Sequence, residues 1–228
     1  AMFETVLYTA SVWVLPVLLA ITLHEAAHGF VAWKLGDDTA KLMGRVTFNP
    51  LKHVDKFGTI LLPAFLLLMR APFLFGWAKP VPVDFSRLRS PKQDMVWVAA
   101  AGPGTNLALA FVSALLIHFA VLADDPLRGW LISNLTNSIL INLVLAMFNL
   151  LPLPPLDGGR IAVGLLPHPY ALALARLEKW GLFLIVGILF ILPMIAAQMG
   201  IHLNVLGWLI GGPVEFLFRG IIIFAGLA

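Results

Sequence analysis

The sequence contains no cysteine in 228 residues. Disulfide frameworks and thiolate metal sites are therefore closed to it. Charge is scarce too. Asp, Glu, Lys and Arg together make up 12% of the chain, against about a quarter in soluble domains. Hydrophobic residues make up 60%, and the mean hydropathy is +0.93. These values exclude an ordinary soluble enzyme and describe a polytopic membrane protein. The length suits one domain of about six hydrophobic segments. It leaves no room for a separate soluble peptide-binding or nucleotide-binding module. No internal repeat or low-complexity tract is present. The net charge of +3 carries no nucleic-acid signature, and no nucleic-acid partner is expected. The first hydrophobic segment has no basic leader, so it does not read as a cleavable signal.

That first segment holds the chemistry. Residues 6–23 are uncharged, and they run directly into His24-Glu25-Ala26-Ala27-His28. On a helix, residues four apart share a face. His24 and His28 can then aim two imidazole nitrogens at one point, as two ligands of a tetrahedral zinc do. Glu25 lies about 100° round the helix, within reach of a water on that metal without ligating it. The bland reading is a chance H-E-x-x-H. Its position at the end of a membrane-length apolar run opposes that, because ionisable groups there are costly and functional by default.

A third ligand has to come from elsewhere, and Asp157 is the best candidate. It follows an apolar run from Trp130 and sits in a break rich in Pro and Gly, residues 151–160, that can turn a carboxylate back into the protein. The plainer alternative is a helix-capping aspartate at a membrane boundary.

Residues 6–35, 95–123, 130–151, 180–197 and 203–227 read as spans. Pro16 is expected to bend the first. Residues 58–69 are apolar but too short to cross, which suggests a re-entrant or interfacial segment. Two stretches between the first two spans look strand-like: Arg45 to Phe48, before Asn49-Pro50, and residues 76–85, where Pro and Val alternate. The fold expected is about five transmembrane helices, one re-entrant segment and short membrane-associated β-strands. It forms a single membrane-embedded domain over residues 1–228, with a core at about 6–160 and C-terminal helices at about 171–228.

Three motifs in order resemble the site-2 protease family of intramembrane zinc metalloproteases. They are His24-Glu25-Ala26-Ala27-His28, then Gly102-Pro103-Gly104-Thr105-Asn106, then Asn149-Leu150-Leu151-Pro152-Leu153-Pro154-Pro155-Leu156-Asp157-Gly158. The form expected is the minimal one, without an appended PDZ or CBS domain and without an extra leading span. The resemblance implies one Zn2+ per chain on His24, His28 and Asp157, with Glu25 as general base. It implies that Asn106 and Asn149 hold substrate backbone or the oxyanion. Without it, both asparagines would read as interhelical hydrogen-bonders. His53 is a possible accessory residue. His118, His168 and His202 carry no functional expectation.

Two ligands near the end of the first span and one beyond the span from Trp130 can share a metal only at similar depth. One outward crossing must then separate them, and the run from Met95 supplies it, so residues 58–69 should not cross. Lysine and arginine crowd the side that carries the motifs, from Lys34 to Lys92 and again at Arg160, Arg176 and Lys179. Arg128 stands beside two aspartates on the other side. The motif side is therefore cytoplasmic by the positive-inside rule.

The function expected is zinc-dependent endopeptidase cleavage of a transmembrane protein or peptide substrate within the lipid bilayer, regulated intramembrane proteolysis in a prokaryotic cell membrane. The alternatives are a zinc transporter and a catalytically inactive scaffold. A transporter needs polar residues leading to the far face, and the outer halves of the spans offer few. An intact Glu25 opposes the scaffold. The stretch Gly44, Arg45, Val46, Thr47 and Phe48 is expected to be the open edge to which an unwound substrate adds as a strand, because Pro80 and Pro82 remove N–H donors from one edge of the other stretch.

Overall fold

A computed structural model of the chain describes residues 2–69 and 77–228. Among these residues, five helices are long and apolar enough to cross a membrane: Leu7–Lys34, Pro91–Ala120, Leu127–Asn149, Glu178–Gln198 and Gly207–Phe224. The first belongs to α1 (Met2–Lys34), which contains Pro16. α2 (Thr39–Leu42) follows, and then a π-helical turn (Lys56–Leu61) runs into α3 (Leu62–Leu68). α4 (Pro91–Ala120) and α5 (Leu127–Asn149) are the next two long helices. Two short helices come after them, α6 (Asp157–Leu165) and α7 (His168–Arg176). α8 (Glu178–Val186) and α9 (Leu192–Gln198) join through a π-helical turn, and α10 (Gly212–Phe224) closes the chain. The chain is a multi-pass membrane protein.

α1, α4 and α5 form the central bundle, with α6 laid against α4. Small residues let the backbones approach. Ala110 and Ala114 of α4 are fully buried against Ile139 and Leu143 of α5. Hydrogen bonds reinforce the contact, as packing alone drives helix association weakly in lipid. Ser113 and Ser138 are 2.8 Å apart, and Asn137 donates to the Val12 carbonyl. His118, near the far end of α4, donates to the Ala225 carbonyl just past α10.

The C-terminal end of α1 bears interfacial marks. Lys41 and Lys34 lie over the Trp33 ring at 3.7 and 4.6 Å, the kind of cation–aromatic pair found at membrane–water boundaries. At 1.5 Å per residue, His28 and His24 sit about 9 and 15 Å along the helix from Lys34. The next turn is held by Asp37, which is fully buried. Its carboxylate accepts from Thr39 N–H at 3.0 Å, from the Thr39 hydroxyl, and from Asp84 N–H at 2.7 Å. Burial pushes this carboxyl up, but the Thr39 and Asp84 hydrogen bonds and the Arg87 charge outweigh it and hold it below its ordinary value. A depressed folded-state value gives stability that is present above the ordinary carboxylate range and is lost as pH falls through the lowered one. Asp37→Ala should therefore lower stability by about 1–3 kcal/mol at pH 7. In thermal unfolding of the detergent-solubilised protein, its deficit against the parent should shrink in acid.

No β-strand occurs among the described residues, which corrects the expectation of membrane-associated strands. The Gly44–Phe48 stretch is a helix cap followed by a bend. Gly44 has φ +63° and Arg45 N–H bonds back to the Ala40 carbonyl, the left-handed termination that glycine favours. Of the second stretch, Gly76 lies outside the described residues, as does Arg70. The rest is extended but has no ladder. Pro80 and Pro82 lack N–H groups, Trp77 and Lys79 donate to the Gly58 and His53 carbonyls, and Val81 donates to a side chain. An open edge at Gly44, Arg45, Val46, Thr47 and Phe48 is accordingly absent.

Candidate metal centre

One helical turn separates His24 from His28, and their Nε2 atoms are 3.0 Å apart. α5 ends at Asn149, and a Pro-rich turn doubles the chain back to Asp157, the first residue of α6. The return is tight: a Cβ at Gly158 would lie 2.2 Å from the Leu150 carbonyl oxygen, so only glycine fits behind the aspartate. Asp157 Oδ2 is thereby placed 3.2 Å from His24 Nε2 and 3.4 Å from His28 Nε2. Ligands about 2.0–2.1 Å from a tetrahedral zinc stand about 3.3 Å from one another. The three separations bracket that value, and all three side chains are buried.

The far sides of the two rings decide what the near sides offer. His28 Nδ1 is 2.7 Å from the Val98 carbonyl, which can only accept, so Nδ1 carries the proton. His24 Nδ1 is 2.6 Å from Asn106 Oδ1. The Asn106 amide nitrogen already donates to the Ala20 carbonyl and to Asn142 Oδ1, so its oxygen must accept and His24 Nδ1 must donate. Asn142 passes the chain on by donating to the Ser138 carbonyl. In their neutral form both imidazoles then turn Nε2 lone pairs toward Asp157 Oδ2, which is buried with no hydrogen-bond donor. Three acceptors facing one another call for a cation. With a proton on an imidazole instead, the cluster still favours the anion. Burial pushes the Asp157 carboxyl up, while His24 and His28 outweigh it and hold it well below the ordinary carboxylate range.

Glu25 faces the same place without joining the cluster. Its Oε2 accepts from Val81 N–H at 2.8 Å. Beside it opens a pocket of about 400 Å³ lined by His24, Glu25, His53, Asn149 and apolar residues of α1, α5 and α8.

The profile of peptidase family M50 matches residues 12–124 and 122–192. This chain belongs to peptidase family M50, the site-2 protease family. The chain is 40% identical over 193 residues to "Putative zinc metalloprotease YwhC" of Bacillus subtilis, covering 79% of this chain and 80% of that one. It is 33% identical over 177 residues to the likewise named Rip2 of Mycolicibacterium smegmatis, covering 77% of this chain and 65% of the relative. Against Rip2 of Mycobacterium tuberculosis the figures are 31% over 141 residues, 62% of this chain and 52% of the relative. No solved structure matches. The chain is a membrane zinc metalloprotease of this family, and His24, His28 and Asp157 are the cluster among the described residues that fits its metal.

Within the M50 chain, the other expected site residues separate by position. Asn149 is on the pocket wall, its amide donating to the Leu145 carbonyl. Asn106 is fully buried behind His24, with both ends of its amide engaged. His53 is buried in the pocket wall, and its Nε2 donates to the Thr47 carbonyl at 3.1 Å. Its Nδ1 has no partner among the described residues. Arg45 does not face substrate space as an edge residue, because its side chain is buried against the Lys79 carbonyl. Asn142 was not anticipated. Its signal was present all the same, since it lies two turns before Asn149 on one face of α5.

Asn106→Ala should lower zinc affinity by roughly 10- to 100-fold, as loss of an outer partner does to a ligating histidine. Chelator competition on the purified protein measures it, and unchanged affinity would mean that the Asn106 contact does not orient His24.

Proposed function

We propose that the chain is an intramembrane endopeptidase that hydrolyses peptide bonds of transmembrane substrates. One observation carries this reading: the three-acceptor cluster and Glu25 open on a pocket whose walls are apolar span residues, Leu18, Ile21, Leu145, Phe148, Leu182 and Ile185. A metal centre for soluble peptides has no use for such walls. When bound, zinc supplies Lewis acidity to the scissile carbonyl and brings a water's pKa near 7.

His24, His28 and Asp157 hold the metal in this proposal. Glu25 takes the proton from the attacking water and later delivers it to the leaving amine. Asn149 holds substrate backbone or the oxyanion from the pocket wall, while Asn106 acts behind His24. His53 offers an acceptor in the wall. A transmembrane helix satisfies its own backbone in lipid, so the segment must unwind before attack. Asn137, Ser138 and Asn142 of α5 spend their side chains on hydrogen bonds between or along the helices, which favours a packing role for them over a transport path.

The chain works as one membrane-embedded unit with its catalytic side toward the cytoplasm, and the helix from Lys56 to Leu68 enters and leaves on that side. Two assays test the proposal. In proteoliposomes, a transmembrane peptide should be cleaved, chelation should stop cleavage, and zinc should restore it. Metal flux without cleavage would favour transport. Because cysteine is absent, single cysteines report topology cleanly. Those at Lys56 and Arg89 should label from the cytoplasmic side and one at Asp125 from the other, and opposite labelling of 56 and 89 would refute the re-entrant segment.

A further inference from the structure

Arg45 is buried to 5% exposure, yet no carboxylate among the described residues pairs with it. A guanidinium in that position is costly unless its hydrogen bonds secure something. Its Nη2 donates to the Lys79 carbonyl at 2.7 Å and, more weakly, to the Pro80 carbonyl at 3.4 Å. The Lys79–Pro82 stretch has only two N–H groups, because residues 80 and 82 are proline. Lys79 N–H goes to the His53 carbonyl at 2.8 Å, and Val81 N–H goes to Glu25 Oε2 at 2.8 Å. The Pro80 carbonyl and the Val81 N–H belong to one planar peptide group. Arg45 holds one end of that group, and Glu25 is held by the other.

We propose that Arg45 is a positioning residue for Glu25, acting through the 80–81 peptide. The proposal rests on the reading of Glu25 as general base. The stretch has no strand ladder; the Trp77 and Lys79 N–H groups tie its start to Gly58 and His53, and the Arg45 bonds complete the hold that sets where the Val81 N–H points. That N–H anchors Oε2 of a side chain that lines the pocket. The prolines on either side of Val81 keep the stretch extended and contribute no N–H of their own, while the Lys79 N–H is taken by the His53 carbonyl. Hydrogen bonds in series also polarise one another in a low-dielectric interior, so the charge on Arg45 strengthens the hold on Glu25 without touching it.

The test uses the full chain in detergent or nanodiscs. Arg45→Met cuts the first link. Val81→Pro cuts the last one, and proline suits a residue that itself precedes proline in extended backbone. Each should lower kcat by roughly 10- to 100-fold, the scale of a misplaced catalytic group, with KM and zinc content held. Val81→Ala keeps the N–H and should lose far less than Val81→Pro. Arg45→Lys, which retains a charge and a donor, should recover part of the Arg45→Met loss. The double variant Arg45→Met/Val81→Pro should be no worse than the poorer single, since both cut one chain. A readout independent of turnover is amide hydrogen exchange across residues 79–82, where only two amides report. Protection at Val81 should fall in Arg45→Met.

Unchanged protection together with parental kcat in Arg45→Met overturns the proposal. So do multiplicative losses in the double variant, or equal damage from Val81→Ala and Val81→Pro. Should Arg45→Met fail to fold, the Val81 pair decides. If Glu25→Gln proves active, the base assignment fails instead, and the exchange result still stands on its own.

Discussion

Glu25→Gln is expected to lose peptide hydrolysis almost wholly, by about 10²–10⁴ in kcat, while zinc stays near one per chain. The substitution is nearly isosteric. Gln keeps an oxygen that can accept from Val81 N–H, where Glu25 Oε2 accepts at 2.8 Å, so the side chain retains its anchor. What disappears is the capacity to take a proton. The metal should be untouched because the converging atoms are His24 Nε2, His28 Nε2 and Asp157 Oδ2, and Glu25 is not among them. Elemental analysis of the purified variant and a cleavage assay in proteoliposomes separate the two properties. Loss of metal would move Glu25 into the ligand set. Retained activity would sink its role as base.

Local spacing made the two histidines legible as a pair, since residues four apart need nothing beyond the helix period to meet. Asp157 was legible because the residues around it could only turn the chain. The five long apolar helices were legible from hydropathy, since the bilayer leaves a crossing segment few alternatives. The two strand-like stretches failed for a stated reason. Alternating Pro and Val has the period of a strand, but a strand also needs a partner ladder. Here the donors are drawn off to His53 and Glu25. Arg45 looked like an edge residue because its neighbours Val46, Thr47 and Phe48 favour strands. Its actual contact lies 34 residues on, at Lys79, and no short-range pattern encodes that. The Asn106–Asn142 bond spans 36 residues and is hidden for the same cause. The motifs are local in the sequence, while the hydrogen bonds behind them join residues far apart in it.

Gly102→Ala should abolish stoichiometric zinc binding, although it adds a single methyl group to a residue with no polar side chain. A Cβ at this position of α4 would lie 2.5 Å from His28 Nε2 and 2.6 Å from His24 Nε2. Those are the two atoms that face the metal position, and the methyl would sit against their lone pairs. Neither ring can step aside. His24 is fixed from behind by Asn106, and His28 by the Val98 carbonyl, which belongs to α4 itself. Moving α4 away would stretch both of those bonds together. Ring rotation would break at least one buried hydrogen bond, about 1–3 kcal/mol, and would take an Nε2 off its aim at Asp157. The helix should tolerate the change, because alanine is the better helix former by about 1 kcal/mol. The expected result is therefore a folded protein of somewhat lowered thermal stability, since the helix gain offsets only part of the lost hydrogen bond, that has no metal and no activity. Gly104→Ala is the control: a Cβ there meets nothing within 4 Å, so zinc content should remain at parental level. Full zinc in Gly102→Ala would mean that the helices have more freedom at the centre than these contacts allow, and that the close approach of α4 to the two histidines does not shape the site.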